Sequence, residues 1–442
     1  MKRFAIYAVL ILASFTPRAS AQDWIRTGTG LGVEKIRLAV PDFKIGANEG
    51  SAQNLPLTFN QTLWNDLEAA GIFDLVGKSF YPLGAPGVPQ DVRLKDWNQP
   101  PPNANMLAFG NLSVQGGYLS VQGWLFDVKN EQSPQVLGKQ YREEANEANA
   151  RLIAHRFADE IILRLGGGLP GIAETKIYFI SSRSGHKEVW QMDYDGAGQK
   201  QITHNGSIAL SPHVSPDGSR IAYAGVTKDG WQIQMWSLDL DRNVSFPRFN
   251  GTNQSPAWSS DGKSLAFASS WSGHSDLYSI DSSGGVPRRL TNDKGPDVSP
   301  TWNPKTNAQI AFVSGRTGLP QIYTMASDGT NVSRVTDQGY AVSPSWSPNG
   351  QFLVFAWVRH YGPGAPGASD IYLMDLASRQ WVQLTHDGGR NDFPSWAPDG
   401  RHIVYQSNRN GRTQLYMMLA DGTQNRQLTT SGENTQPNWG NK

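Results

Sequence analysis

One short phrase recurs six times in the C-terminal part of the chain, and it limits the folds open to it. The copies are Ser211-Pro212-His213-Val214, Ser255-Pro256-Ala257-Trp258, Ser299-Pro300-Thr301-Trp302, Ser343-Pro344-Ser345-Trp346, Phe393-Pro394-Ser395-Trp396 and Gln436-Pro437-Asn438-Trp439. Their prolines lie 44, 44, 44, 50 and 43 residues apart. A period of about 40 to 45 residues with four short strands per unit is the mark of a β-propeller.

Each unit repeats the same internal order. The Pro-x-Trp strand turns at a sequence such as Pro216-Asp217-Gly218 or Pro398-Asp399-Gly400 into an apolar strand, for example Leu265 to Ala268. A Ser-x-Arg-x-Gly turn follows, as at Ser181 to Gly185 and Ser407 to Gly411, then a strand carrying an aromatic such as Tyr323 or Tyr372. The last strand ends on Leu-Thr or a close relative, as at Leu290-Thr291 and Leu428-Thr429. The first unit starts in its second strand at Lys176, and the last Pro-x-Trp has no second strand after it. These two fragments make one blade, which predicts six blades closed by the C-terminal strand and no open sheet edge. The repeated Trp side chains are expected to pack between blades.

Residues 22 to 168 lack the repeat. Strands are predicted near 35–43, 73–76, 106–114, 117–128 and 135–142, with Gly116-Gly117 as a hairpin turn. Helices are predicted over 51–71 and 145–165, each with an apolar stripe. The expectation is an α+β N-terminal domain over 22–168 and a six-bladed all-β propeller over 172–442, divided at Gly166 to Gly171. Ahead of both, Lys2 and Arg3, an apolar stretch and Ala19-Ser20-Ala21 read as a signal peptide over 1–21, cleaved before Gln22. Without that segment the chain has 36 Lys plus Arg against 38 Asp plus Glu, so no polyanionic partner is implied. It has no cysteine, hence no disulfide and no lipidated N-terminus.

Catalytic patterns are scarce. There is no Gly-x-Ser-x-Gly elbow, no thiol nucleophile and no HExxH spacing. The eight histidines are scattered and read as solvated surface groups. The channel-lining position between Pro and Trp reads His213, Ala257, Thr301, Ser345, Ser395 and Asn438, with no carboxylate for a metal, so no cofactor or metal is expected. His213 suits a channel contact and a packed residue equally. Recognition is expected on the variable top face, where Phe249, Gln254, Trp271, Val298, Val342 and Phe393 are ringed by Arg183, Arg316, Arg359 and Arg409. The 50-residue interval places an insertion around His360 to Gly367 on that face. The residues leave open an exported propeller hydrolase or lyase, and a polysaccharide-binding module.

The export signal, the α+β domain and the six Pro-x-Trp-Ser-Pro-Asp-Gly units, in this order, resemble the TolB family of the Tol-Pal system. The resemblance implies a periplasmic, non-enzymatic adaptor that binds the peptidoglycan-associated lipoprotein Pal and supports outer-membrane invagination at cell division and envelope integrity. By position it places lipoprotein contacts at Phe249, Gln254, Ser255, Val298, Ser299, Val342, Ser343, Asp392 and Phe393, with Arg409 on the same rim. It also implies that the mature N-terminal segment, Gln22, Asp23, Trp24 and Ile25, reaches a TolA-like inner-membrane protein.

Overall fold

The computed structural model describes residues 24, 29–32, 34–48, 54–358, 367–386 and 388–441. The expected signal peptide lies outside them, as does nearly all of the insertion at 360–367. The N-terminal sheet runs β3 (Phe73–Leu75), β1 (Ile36–Ala39), β4 (Met106–Gln115), β5 (Tyr118–Asp127) and β6 (Gln135–Glu144), with β2 (Lys44–Asn48) also paired to β4. Gly116 and Gly117 have φ of 56° and 77°, the left-handed pair that a two-residue hairpin needs. Helices α1 (Leu55–Ala69) and α3 (Glu147–Leu165) cover one face of the sheet. Pro56 sits in the first turn of α1, where its missing N–H costs nothing, and the Asn146 side chain caps α3 by accepting from the Asn149 N–H. Between 82 and 102, where the sequence suggests only a Pro-rich connection, the chain forms short helical turns including α2 (Leu94–Asn98). Trp97 from α2 is buried with Leu107, Phe109 and Phe126 on the sheet's other face.

The propeller has six four-stranded sheets, and the C-terminal strand Asn434–Trp439 pairs antiparallel with Lys176–Ser181 to complete the first blade. The repeat residues explain the blades. Trp258, Trp302, Trp346, Trp396 and Trp439 are all buried. Trp258 Nε1 donates to the carbonyl of His213, Trp302 to Ala257 and Trp346 to Thr301, at 3.0, 3.1 and 3.2 Å, so each reaches the neighbouring blade. The motif's middle residue returns the contact. Ser395 Oγ accepts from the Trp439 N–H at 3.0 Å, between the sixth and first blades, and Asn438 Oδ1 accepts from the Val214 N–H at 2.9 Å, between the first and second. The Leu-Thr ends tie strands together within a blade. Thr291, Thr336, Thr385 and Thr429 hydroxyls each accept a third-strand N–H of their own blade at 2.9–3.0 Å.

The N-terminal domain sits on the bottom face, against turns of the first and sixth blades. Asp66 of α1 is buried and accepts from the Tyr194 hydroxyl at 2.6 Å, while His155 of α3 bonds its other oxygen at 2.7 Å. Burial pushes the Asp66 carboxyl up, against the lowering pull of His155 and Tyr194. Arg151 bonds Asp195 at 2.7 Å, and His402 Nε2 meets the Ala69 carbonyl at 2.8 Å. His155 and His402 are therefore buried structural groups, correcting the expectation of solvated histidines; His186, His204 and His386 are exposed as expected. Leu31 and Trp24 also reach the propeller: both pack against the fifth- and sixth-blade core, and the Trp24 ring lies 5.7 Å from that of Phe352.

Candidate partner-binding site

Each inner strand carries the same irregularity. Its pairing with the second strand shifts register at the residue before Pro and at Pro itself, a β-bulge repeated six times. The residue before Pro is left-handed in every copy: Ser211, Ser255, Ser299, Ser343, Phe393 and Gln436 have φ between 50° and 52°. For an L-residue that conformation costs about 1–2 kcal/mol. The same strain at six symmetric places needs a common reason, and the location provides one. These residues and their prolines line the upper channel cavity, of about 120 Å³. The bulge bends each strand so that its Ser, Phe or Gln stands around the opening.

The channel continues downwards. His213, Thr301, Ser345, Ser395 and Asn438 line both the upper cavity and a lower one of about 230 Å³, where they meet the motif tryptophans. His213 thus faces the channel while remaining half-buried in its wall. Burial takes its pKa down to about 4, so the ring is neutral at physiological pH and the channel wall carries no charge there. Its Nδ1 is buried without a hydrogen-bond partner.

The residues singled out in the sequence divide into three groups. Ser255, Ser299, Ser343 and Phe393 come together at the mouth. Gln254, Val298, Val342 and Asp392 precede them on the inner strands; Val298 and Val342 pack against blade cores, and Asp392 is buried. Phe249 and Arg409 do not line the mouth. Phe249 stacks on Phe267 and Trp271 at 5.5 and 6.3 Å, with its N–H bonded to Gln232. Arg409 Nε donates to Ser407 at 3.1 Å, and its guanidinium lies 4.3 Å over the Tyr416 ring. Arg316 repeats this on Ser314 and Tyr323, and Arg183 on Ser181 and Trp190. The Ser-x-Arg signature is therefore a turn-building stack, a role that the Arg's surface position concealed. Ser211 and Gln436 are mouth residues that the sequence reading missed. Alignment of the six copies was the available signal, since both occupy the column of Ser255 and Phe393. Of the N-terminal segment, Trp24 is described, while Gln22, Asp23 and Ile25 lie outside the described residues.

Two family models match. Residues 165–360 and 337–442 match the TolB beta propeller domain, and residues 29–134 the TolB amino-terminal domain. A protein TolB homolog of Chlorobium luteolum is 32% identical over 351 residues, covering 76% of this chain and 74% of its own.

The chain belongs to the TolB family.

A Tol-Pal system protein TolB of Desulfosudis oleivorans is 33% identical over 299 residues, 67% of this chain and 66% of that one. In three dimensions the chain is similar to TolB from Acinetobacter baumannii, with a TM-score of 0.75 at 24% identity, over 92% of this chain and 97% of that structure. That likeness extends the shared TolB fold across both domains.

Proposed function

We propose that the chain is a non-enzymatic periplasmic adaptor of the Tol-Pal system that docks the peptidoglycan-associated lipoprotein on the propeller mouth. The observation that carries this is the strained ring: six left-handed residues opening one small, uncharged cavity on the face away from the N-terminal domain. The repeated bulge turns all six strands into one rim, and a rigid concave mouth with mixed polar and apolar lining suits a protein segment. The Trp24 segment, docked on the opposite face, is the part positioned to reach a TolA-like inner-membrane protein. Through these contacts the chain supports outer-membrane invagination at division and envelope integrity.

The test is a calorimetric titration of the chain starting at Gln22 with the soluble domain of the lipoprotein from the same genome. Saturable one-to-one binding is expected, and Ser299→Tyr, which fills the mouth, is expected to weaken it at least about tenfold, or 1.4 kcal/mol. No binding, or equal binding by the variant, overturns the assignment.

A further inference from the structure

Five of the six left-handed mouth residues are polar, four Ser and one Gln; the other is Phe393. Asn, Asp and small polar residues tolerate this conformation better than a bulky aromatic does, so Phe393 is the most costly member of the ring. Something specific holds it. The Phe393 N–H donates to Asp392 Oδ1 at 2.7 Å, and the same oxygen accepts from the Ser343 hydroxyl at 2.8 Å. The second oxygen faces the Arg390 guanidinium at 3.4 Å, and Arg390 itself is largely exposed. One buried carboxylate thus joins two neighbouring mouth positions, Ser343 of the fifth blade and Phe393 of the sixth. At the corresponding place the other blades carry Leu210, Gln254, Val298, Val342 and Thr435, none of which is acidic.

We propose that Asp392 is a positioning residue for the mouth: it fixes Phe393 as an apolar anchor in an otherwise polar ring, and so selects a partner segment that places an apolar side chain between the fifth and sixth blades. Asp392 is 2% exposed and does not itself present a surface to a partner; it acts through Phe393. Burying a carboxylate is costly unless it is bonded, and burial pushes this one above the ordinary carboxyl range despite its bonds to Ser343 and Phe393. A group kept at that cost for blade assembly alone would recur in the other blades, as the Trp and Leu-Thr contacts do. The inference rests on the proposed docking of the lipoprotein at this mouth, and adds which part of the rim discriminates.

Two measurements on the full mature chain test it. The first needs no partner: amide exchange at Phe393 in the wild type, Asp392→Ala and Asp392→Asn. Exchange is expected to accelerate at least about tenfold in the Ala variant through loss of the bonded acceptor, with partial rescue by Asn. Unchanged protection overturns the proposal whatever the partner. The second is a double-mutant cycle read by lipoprotein affinity. Asp392→Ala is expected to weaken binding about tenfold in the wild type and to add nothing in the Phe393→Ser background. An equal loss in both backgrounds overturns positioning through Phe393. If exchange responds as expected but the wild type does not bind the lipoprotein, the docking assignment falls while the Asp392–Phe393 tie stands.

Discussion

The two faces of the propeller use their polar residues in opposite ways. At the bottom, charged and titratable side chains meet between domains: Asp66 with His155 and Tyr194 and His402 with Asp399 and the end of α1, all buried, and Arg151 with Asp195, half-buried. At the top, the lining of the mouth is small, uncharged and strained, with the buried Asp392 behind it, and Arg316 and Arg409 outside the mouth are folded back onto aromatic rings of their own blades. Buried charge resists change, because removing one partner strands the other in a medium of low polarity. A rim of Ser and Gln can exchange its water for a protein surface at little cost. Under the proposed function, the lower face is the permanent contact and the upper one the surface that exchanges.

The comparison is most open to attack at its charged end. Asp66→Ala leaves the His155 ring and the Tyr194 hydroxyl without their acceptor, and is expected to cost about 3–5 kcal/mol in denaturant unfolding. Asp66→Asn, which keeps an acceptor, should cost less. His402→Ala, which unbinds the Ala69 carbonyl and weakens the hold on Asp399, is expected to cost about 2–3 kcal/mol. If either substitution is as mild as a surface change, the lower face is not the fixed one.

Acidity offers a separate test through two groups, His213 and Asp159, that tilt stability in opposite directions. His213 in the channel has its pKa lowered to about 4 from 6.5, so the unfolded chain takes the proton first. Its contribution is fully present above 6.5 and lost as pH falls towards 4. Asp159, beside the interdomain linker and bonded to the Ala173 and Glu174 amides, is pushed up by burial to about 7 from 3.8. Its contribution is present below 3.8 and lost as pH rises to about 7. Thermal melts across this range should lose the acid limb in His213→Asn and the opposing slope in Asp159→Asn. The smallest effect is expected at the mouth: Ser255→Ala should change stability by no more than about 0.5 kcal/mol. A larger loss would mean that the rim is also part of the scaffold.

Much of this was legible in the chain. The blade count, the closing strand and the tryptophan packing follow from a motif that recurs with nearly constant spacing, because each copy meets the same neighbours. The N-terminal helices followed from apolar periodicity, and the hairpin from Gly116-Gly117. The site was less legible. The column before Pro groups Ser211 and Gln436 with Phe393, but a left-handed Ser looks like any other Ser in sequence, and the register shift is what turns that column into a rim. His402 meets Ala69 across 333 residues, a contact without local pattern, so its burial could not be read. Arg409 shows the reverse: a charged residue in a turn suggests a surface contact, and its stack on Tyr416, which builds the turn, has no sequence signature of its own.

The seam in the first blade also sets the order of events in folding. On its channel side Ile177 pairs with Trp439, so the first blade remains one strand short until the far end of the propeller is present. Such a long-range pairing is slow to form, and the ring cannot lock prematurely. A chain of this design keeps its propeller unsealed until its final strand is available to pair.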